Sequence, residues 1–290
     1  MSIDYKIISR EIDKLVETAS FSLRPDVAAL LKNAYSKEPN LRAKKALGWI
    51  IDNSKEAKNN HIALCQDTGF PVLFIDAGKD AIINQRLISA LTSSVAKAYQ
   101  KLYLRPSIVH PLARKNPSYK GVTYHIDFSS RIKGFKITLF PKGFGSENKS
   151  RLKMFSPTAS LDAIEDFVVD SVSKAGPESC PPFVVGVGIG GTSDSALLLA
   201  KKSLLGRLNK ENSDKVLNKM EQRLLKRINA LKIGPMGLGG KCSALAVKIK
   251  TAPTHIAGLP AAVNISCHAL RSASLSLNFK AGGLVNTGAK

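Results

Sequence analysis

The longest apolar stretches in this sequence are short and broken by glycine or proline. None approaches the ~20 apolar residues that a helix needs to cross a bilayer. A chain punctuated in this way builds many short helices and strands that must pack on one another. With 290 residues, 44% of them hydrophobic, it has enough interior for a sizeable core. The opening MSIDYKIISREIDKL alternates charge with apolar residues and lacks the apolar centre of a secretory signal. The expected setting is the cytoplasm, with no membrane partner.

Periodicity assigns the elements. Residues 5–60 read as helical, since Leu15, Val16, Leu23, Val27, Leu30 and Leu31 recur at helical spacing and Pro25 can open a helix. HIALCQDTG at 61–69 reads as a turn segment, and FPVLFIDAG after it as a buried strand. A helix is expected over 80–103. Strands follow at GVTYHIDF (121–128) and FKITLFP (135–141), joined through a turn at Gly134. LDAIEDFVVDSVSKAG reads as a helix that ends at Gly176 in a glycine C-cap. PPFVVGVGIGG reads as a strand running into a glycine loop, and TSDSALLLAKKSLL as a helix capped by Thr192 or Ser193. A basic amphipathic helix over 209–231, a glycine turn at GPMGLGGK, and strands at 243–251 and 260–266 complete the chain. No repeat, low-complexity tract or flexible linker divides it. The expected fold is α+β, with mixed sheets surrounded by helices, in a single domain over 1–290 with a helical N-terminal lobe at about 1–60.

The charge balance is strongly basic: 43 Lys and Arg against 22 Asp and Glu, a net +21. That invites two readings, a nucleic-acid binder or a solvated basic surface. The basic residues are spread along the whole chain. The densest cluster, RLLKR at 223–227, lies in a helical pattern, and neither a run of five or six like charges nor a nucleic-acid motif occurs. The solvated surface is favoured, and no nucleic-acid partner is expected. A positive field would equally attract a dicarboxylate.

Four cysteines occur, Cys65, Cys180, Cys242 and Cys267. No CxxC pair is present, so a zinc ribbon is not supported, and in a reducing compartment disulfides are not expected. Free thiols or one site built from distant cysteines remain. Isolated cysteines are usually small buried hydrophobes. Three of these four sit in a different setting, where a polar or turn segment meets an apolar one: LCQDTG, ESCPPFVV and NISCHAL. Gln66, Asp67 and Thr68 crowd polar groups beside Cys65. Pro181 and Pro182 stiffen the chain after Cys180, and His268 adjoins Cys267. The glycine segments fit no nucleotide motif: GVGIGGT lacks the dinucleotide spacing, and GPMGLGGK the P-loop spacing.

CQDTG, KGFGSENKS, AGPESCPP followed by VGVGIGGT, GPMGLGGK and THIAGLPAAVNISCHA, in this order, resemble the class I fumarate hydratases. More closely, they are similar to the alpha subunit of the two-subunit fumarase and tartrate dehydratase group. The resemblance runs from about residue 10 to 275. It implies the class I fumarase alpha-type catalytic domain and a [4Fe–4S] cluster held by Cys65, Cys180 and Cys267, with one iron left open to substrate. Cys242 falls outside that ligand set and reads as a small core residue. The resemblance also implies an acid–base or proton-relay role for Asp67 and a substrate or supporting hydrogen bond for Gln66. It places Arg105 on a substrate carboxylate and Gly145 near the substrate. Taken alone, Asp67 reads as a turn cap and Arg105 as a surface residue. The chain departs from the family pattern at Phe144, where glycine is common, and at Thr254, where cysteine often stands.

The implied activity is reversible hydration of fumarate to malate, as the alpha subunit of a hydro-lyase. A beta-type subunit would supply the rest of the active site, and the implied assembly is α2β2 containing an alpha homodimer. The second reading is the alpha subunit of tartrate dehydratase. A third is a non-catalytic nucleic-acid-binding protein or iron–sulfur sensor, against which the combination of Gln66, Asp67 and Arg105 with the cysteines argues.

Overall fold

A computed structural model describes the backbone of residues 5–280 and 283–289 and the side chains of residues 6–278. In chain order the elements are α1 (Tyr5–Phe21), α2 (Pro25–Lys37), α3 (Leu41–Asn59), β1 (Phe70–Ala77), α4 (Gln85–Lys101), β2 (Thr123–Phe128) and β3 (Phe135–Lys142). There follow α5 (Phe144–Glu147), β4 (Arg151–Phe155), α6 (Leu161–Ala175), β5 (Phe183–Gly191), α7 (Ser193–Ser203) and α8 (Lys215–Ala230). The last strands are β6 (Ala244–Thr254), β7 (Leu259–Ser266), β8 (Ala273–Lys280) and β9 (Gly283–Ala289). Both sheets mix parallel and antiparallel neighbours, so the α+β expectation is met. Among the described residues no helix is long and apolar enough to cross a membrane. The chain packs into two compact units, each with its own sheet.

The first unit takes the chain up to Arg24, Glu56–Lys142 and the segment from Arg271 on. Its strands lie in the order β2-β1-β3-β8-β9. Ile8, Ile12, Leu15, Val16 and Ala19 repeat every three or four residues and give α1 one apolar face. That face packs with Leu87, Leu91, Val95 and Ala98 of α4 over Leu73 and Ile75 of β1 and Ile137 and Leu139 of β3. Burying each large side chain contributes about 1.5–3 kcal/mol. β1 is central: it takes β2 parallel on one side and β3 antiparallel on the other. The two strands expected to join through Gly134 are therefore separated by β1, which is buried along nearly its whole length and pairs on both edges.

The second unit comprises Pro25–Lys55 and Gly143–Leu270, with strand order β4-β7-β5-β6. Ile164, Val168 and Val172 of α6 and Met220, Leu224 and Ile228 of α8 cover one face, against Phe183, Val185 and Val187 of β5. The alternate residues of β5 face α7, and two of these are glycines. A Cβ on Gly186 would lie 2.2 Å from the Ala200 carbonyl oxygen, and one on Gly188 2.1 Å from that of Ala196. GVGIGG was expected to leave the strand as a loop; instead the strand runs through it, and its missing side chains let a helix lie directly on the sheet. α6 ends as expected, with Gly176 at φ 56°. α8 begins later than its basic pattern suggests because the Asp214 carboxylate accepts the Val216 and Leu217 N–H groups as an N-cap.

Candidate active site

In the first unit, the turn before β1 carries Cys65, Gln66, Asp67 and Thr68. Cys65 and Asp67 are half-buried, Gln66 is exposed, and Thr68 is buried. The Gly69 N–H donates to Asp67 Oδ1 at 2.9 Å, so one carboxylate oxygen closes the turn. Gly69 sits at φ +81°, and a Cβ there would fall 2.6 Å from the Pro141 carbonyl carbon. Only glycine accommodates this close approach. Three further bonds fix the turn. The Tyr99 hydroxyl donates to Thr68 O at 3.4 Å, Thr68 Oγ1 donates to Arg105 O at 3.3 Å, and Arg271 Nη2 donates to Asp67 O at 2.7 Å. Burial pushes the Tyr99 hydroxyl far above its ordinary pKa; the Arg271 charge opposes that and the Asp67 charge adds to it. Arg105 thus joins the turn through its main chain, while the residue itself is exposed.

In the second unit, Cys180 follows the 3-10 turn Pro177–Ser179 in the left-handed conformation, φ 53° and ψ 66°. Its carbonyl oxygen accepts the His268 N–H at 3.2 Å, and His268 Nδ1 lies 3.0 Å from the same oxygen. The sheet register accounts for this meeting. β5 and β7 are antiparallel neighbours with Val184 opposite Ser266, so the residues just before β5 and just after β7 come to one end of the sheet. Cys180 and Cys267 occupy those positions, and both are half-buried and outside any disulfide. The Ser179 hydroxyl is buried without a hydrogen-bond partner.

The KGFGSENKS segment belongs to the same unit. Gly145 is exposed, and a Cβ there would meet nothing within 4 Å. Phe144, in place of the usual glycine, does not lie at positive φ, so the short helix α5 does not require glycine at that position. Glu147 holds the segment: Oε1 accepts from Lys201 Nζ at 2.5 Å and Oε2 from Asn264 Nδ2 at 2.9 Å. Lys149 Nζ reaches Glu178 Oε2 at 2.5 Å and ties the segment to the turn that carries Cys180. Thr254, at the other departure, donates through Oγ1 to Gly191 O at 2.9 Å. Cys242 is half-buried like the other three cysteines, and burial, with the Glu38 charge, pushes its thiol up to about 12.

Cys65, Gln66, Asp67 and Arg105 are thus grouped in the first unit, and Cys180, Cys267 and Gly145 lie in the second. Among the described residues no three His, Cys, Asp or Glu side chains gather around a single metal-ion position. Sequence reasoning missed Tyr99, Arg271, Lys201 and Asn264. Arg271 left a trace, a lone charge between Leu270 and the alternating SASLSL of β8.

The family model described as fumarate hydratase (Fumerase) matches residues 9–276. The chain is 41% identical over 273 residues to a protein of Methanocaldococcus jannaschii named "Putative L(+)-tartrate dehydratase subunit alpha", covering 92% of this chain and 96% of that one. It is 29% identical over 275 residues to the L(+)-tartrate dehydratase subunit alpha of Escherichia coli K12, covering 91% of each. The protein of that name from Shigella boydii matches to the same extent, 29% over 275 residues.

Proposed function

The chain belongs to the fumarate hydratase (Fumerase) family, and from that premise we propose that it is the alpha-type subunit of a hydro-lyase that reversibly hydrates fumarate to malate. The observation that carries this reading is the meeting of Cys180 and Cys267 at one end of the β5–β7 ladder. The proposed cofactor is a [4Fe–4S] cluster on Cys65, Cys180 and Cys267. The donor chemistry fits: the three cysteines are half-buried thiols outside any disulfide, the soft ligands that an iron–sulfur cluster takes. A four-iron cluster takes each cysteine on a separate iron, so it does not require three sulfurs around one metal position. When bound, it supplies a Lewis acid that eases departure of a hydroxyl group.

The chain's own residues supply the rest of the proposed chemistry. Asp67 exchanges the proton at the substrate carbon, with one oxygen anchored by Gly69 so that the carboxyl keeps a fixed direction. The Arg105 guanidinium receives a carboxylate, and Gln66 donates beside it. Gly145, with open space in front of it, lets substrate approach the main chain. A beta-type subunit completes the site in the proposed α2β2 assembly in the cytoplasm; the relatives' names, each a subunit alpha, support such a partner.

Those names also favour a second substrate, L(+)-tartrate, whose dehydration uses the same proton transfer and hydroxyl departure. Anaerobic co-purification with a beta-type partner tests both. The expected result is about four irons per alpha chain, with turnover of a dicarboxylate. The faster of fumarate hydration and tartrate dehydration assigns the substrate. Cys180→Ser should lose iron and activity together, and a variant that keeps both removes Cys180 from the ligand set.

A further inference from the structure

Among the described residues Arg271 is the largest fully buried side chain, with 2% relative exposure. It opens the last segment of the first unit, four residues after Cys267 in the sequence. Nη2 donates to the main-chain oxygen of Asp67, while Nε and Nη1 are buried without an acceptor among the described residues. Burying a guanidinium without a carboxylate partner costs more stability than burying an apolar side chain of the same volume. A role in the fold alone would therefore be better served by methionine or leucine. What the guanidinium secures is one carbonyl, and that carbonyl belongs to Asp67.

The surroundings sharpen the point. Thr68, next in sequence, is held on both sides, by Tyr99 at its carbonyl and by Arg105 O at its hydroxyl. The carboxyl of Asp67 is held at Oδ1 by Gly69. The Arg271 bond fixes the remaining freedom of the turn, the rotation of the peptide plane between Asp67 and Thr68. A charged donor makes a stronger bond to that oxygen than a neutral one.

We propose that Arg271 is a positioning residue that holds the Asp67 peptide plane, and through it the direction of the Asp67 carboxyl. The inference rests on the reading of Asp67 as the acid–base group. Small displacements of such a group lower turnover far more than they weaken substrate binding.

The test uses the full chain and, for kinetics, its complex with the beta-type partner. Arg271→Met keeps the volume and removes the charge and its N–H groups; Arg271→Lys keeps the charge and one donor. In Arg271→Met, amide hydrogen exchange over residues 66–69 should rise about tenfold while exchange across β5 stays unchanged. The turnover number should fall about tenfold or more with KM held within about threefold, and Arg271→Lys should recover part of both losses. Unchanged exchange at 66–69 overturns the proposal. So does a kcat loss that follows global unfolding equally in both variants. Should Arg271→Met not fold, exchange and the kcat–KM split in Arg271→Lys decide alone. A wild-type complex that turns over no dicarboxylate sinks the hydro-lyase reading instead, and the exchange result still decides whether Arg271 holds the turn.

Discussion

Lys201 on α7 clasps Glu147 at the end of α5, with Nζ 2.5 Å from Oε1 and both side chains about one-fifth exposed. Asn264 of β7 takes the other carboxylate oxygen and also donates to Ser150 Oγ at 2.8 Å. Removing the carboxylate strips both partners, and Asn264 Oδ1 is already buried without a bond. Glu147→Ala should therefore destabilise the chain by about 1–3 kcal/mol, with Glu147→Gln closer to wild type because it can still accept from Asn264. Urea unfolding of the full chain checks this, and an unshifted midpoint in the alanine variant would mean the segment is held elsewhere.

Two glycines should respond in opposite ways. A methyl on Gly188 meets the main chain of α7, which cannot yield without shifting the helix. Gly188→Ala should cost about 1–3 kcal/mol through overpacking. Gly145→Ala meets open space and should leave stability within about 0.5 kcal/mol. If substrate passes close to Gly145, its KM rises several-fold in that variant. Melting temperatures of the two variants, with KM for Gly145→Ala in the complex, separate these outcomes.

Cys242 should give an alkaline signature. Its thiol is raised from an ordinary 9 to about 12, mainly by burial. Between those values the unfolded chain releases a proton that the folded chain keeps. Stability from this group is complete below pH 9 and is lost as pH rises toward 12, at a limiting slope of about 1.4 kcal/mol per pH unit. Cys242→Ala should lack that slope, so the difference between the two proteins' stabilities should shrink as pH rises from 8 to 10. At pH 8, thiol alkylation of the cluster-free chain should label Cys65, Cys180 and Cys267 well before Cys242; equal labelling contradicts the burial.

Arg105 separates binding from folding. Its carbonyl oxygen accepts from Thr68 and Ser107, and that tie survives any side-chain change. Arg105→Met should leave stability within about 0.5 kcal/mol. Losing a charge-assisted bond to a substrate carboxylate, worth about 1.5–3 kcal/mol, should raise KM about 10- to 100-fold. Arg105→Lys should fall between. A KM equal to wild type in Arg105→Met places the guanidinium away from substrate.

Much of this was legible in the sequence. Helical spacing marked α1, α4 and α6, and the expected ends at Gly176 and Thr192 are where α6 stops and α7 starts, although the Thr192 side chain makes no capping bond; the Ser160 cap that opens α6 was missed. β4 and β8 were missed because RLKMF and ASLSLNF are short and partly polar, and acquire their strand character from the neighbours they pair with. The glycines of β5 were misread as a loop because their purpose is the approach of α7, a contact across the fold. The turn-cap reading of Asp67 is borne out, since one of its oxygens accepts the Gly69 N–H; its acid–base role belongs to the proposed function. Arg271 escaped notice because its partner is a backbone carbonyl more than two hundred positions away, and a carbonyl leaves no residue-type pattern.

The β5–β7 ladder acts as a ruler between Cys180 and Cys267. Deleting one residue from β7 would turn core residues such as Ala261, Val263 and Ile265 from the face covered by α6 and α8 toward the face covered by α7 and carry Cys267 a step away from Cys180. Apart from Gly186 and Gly188, the two strands can therefore drift in composition while their length stays fixed, and insertions should be admitted only in the connections outside them.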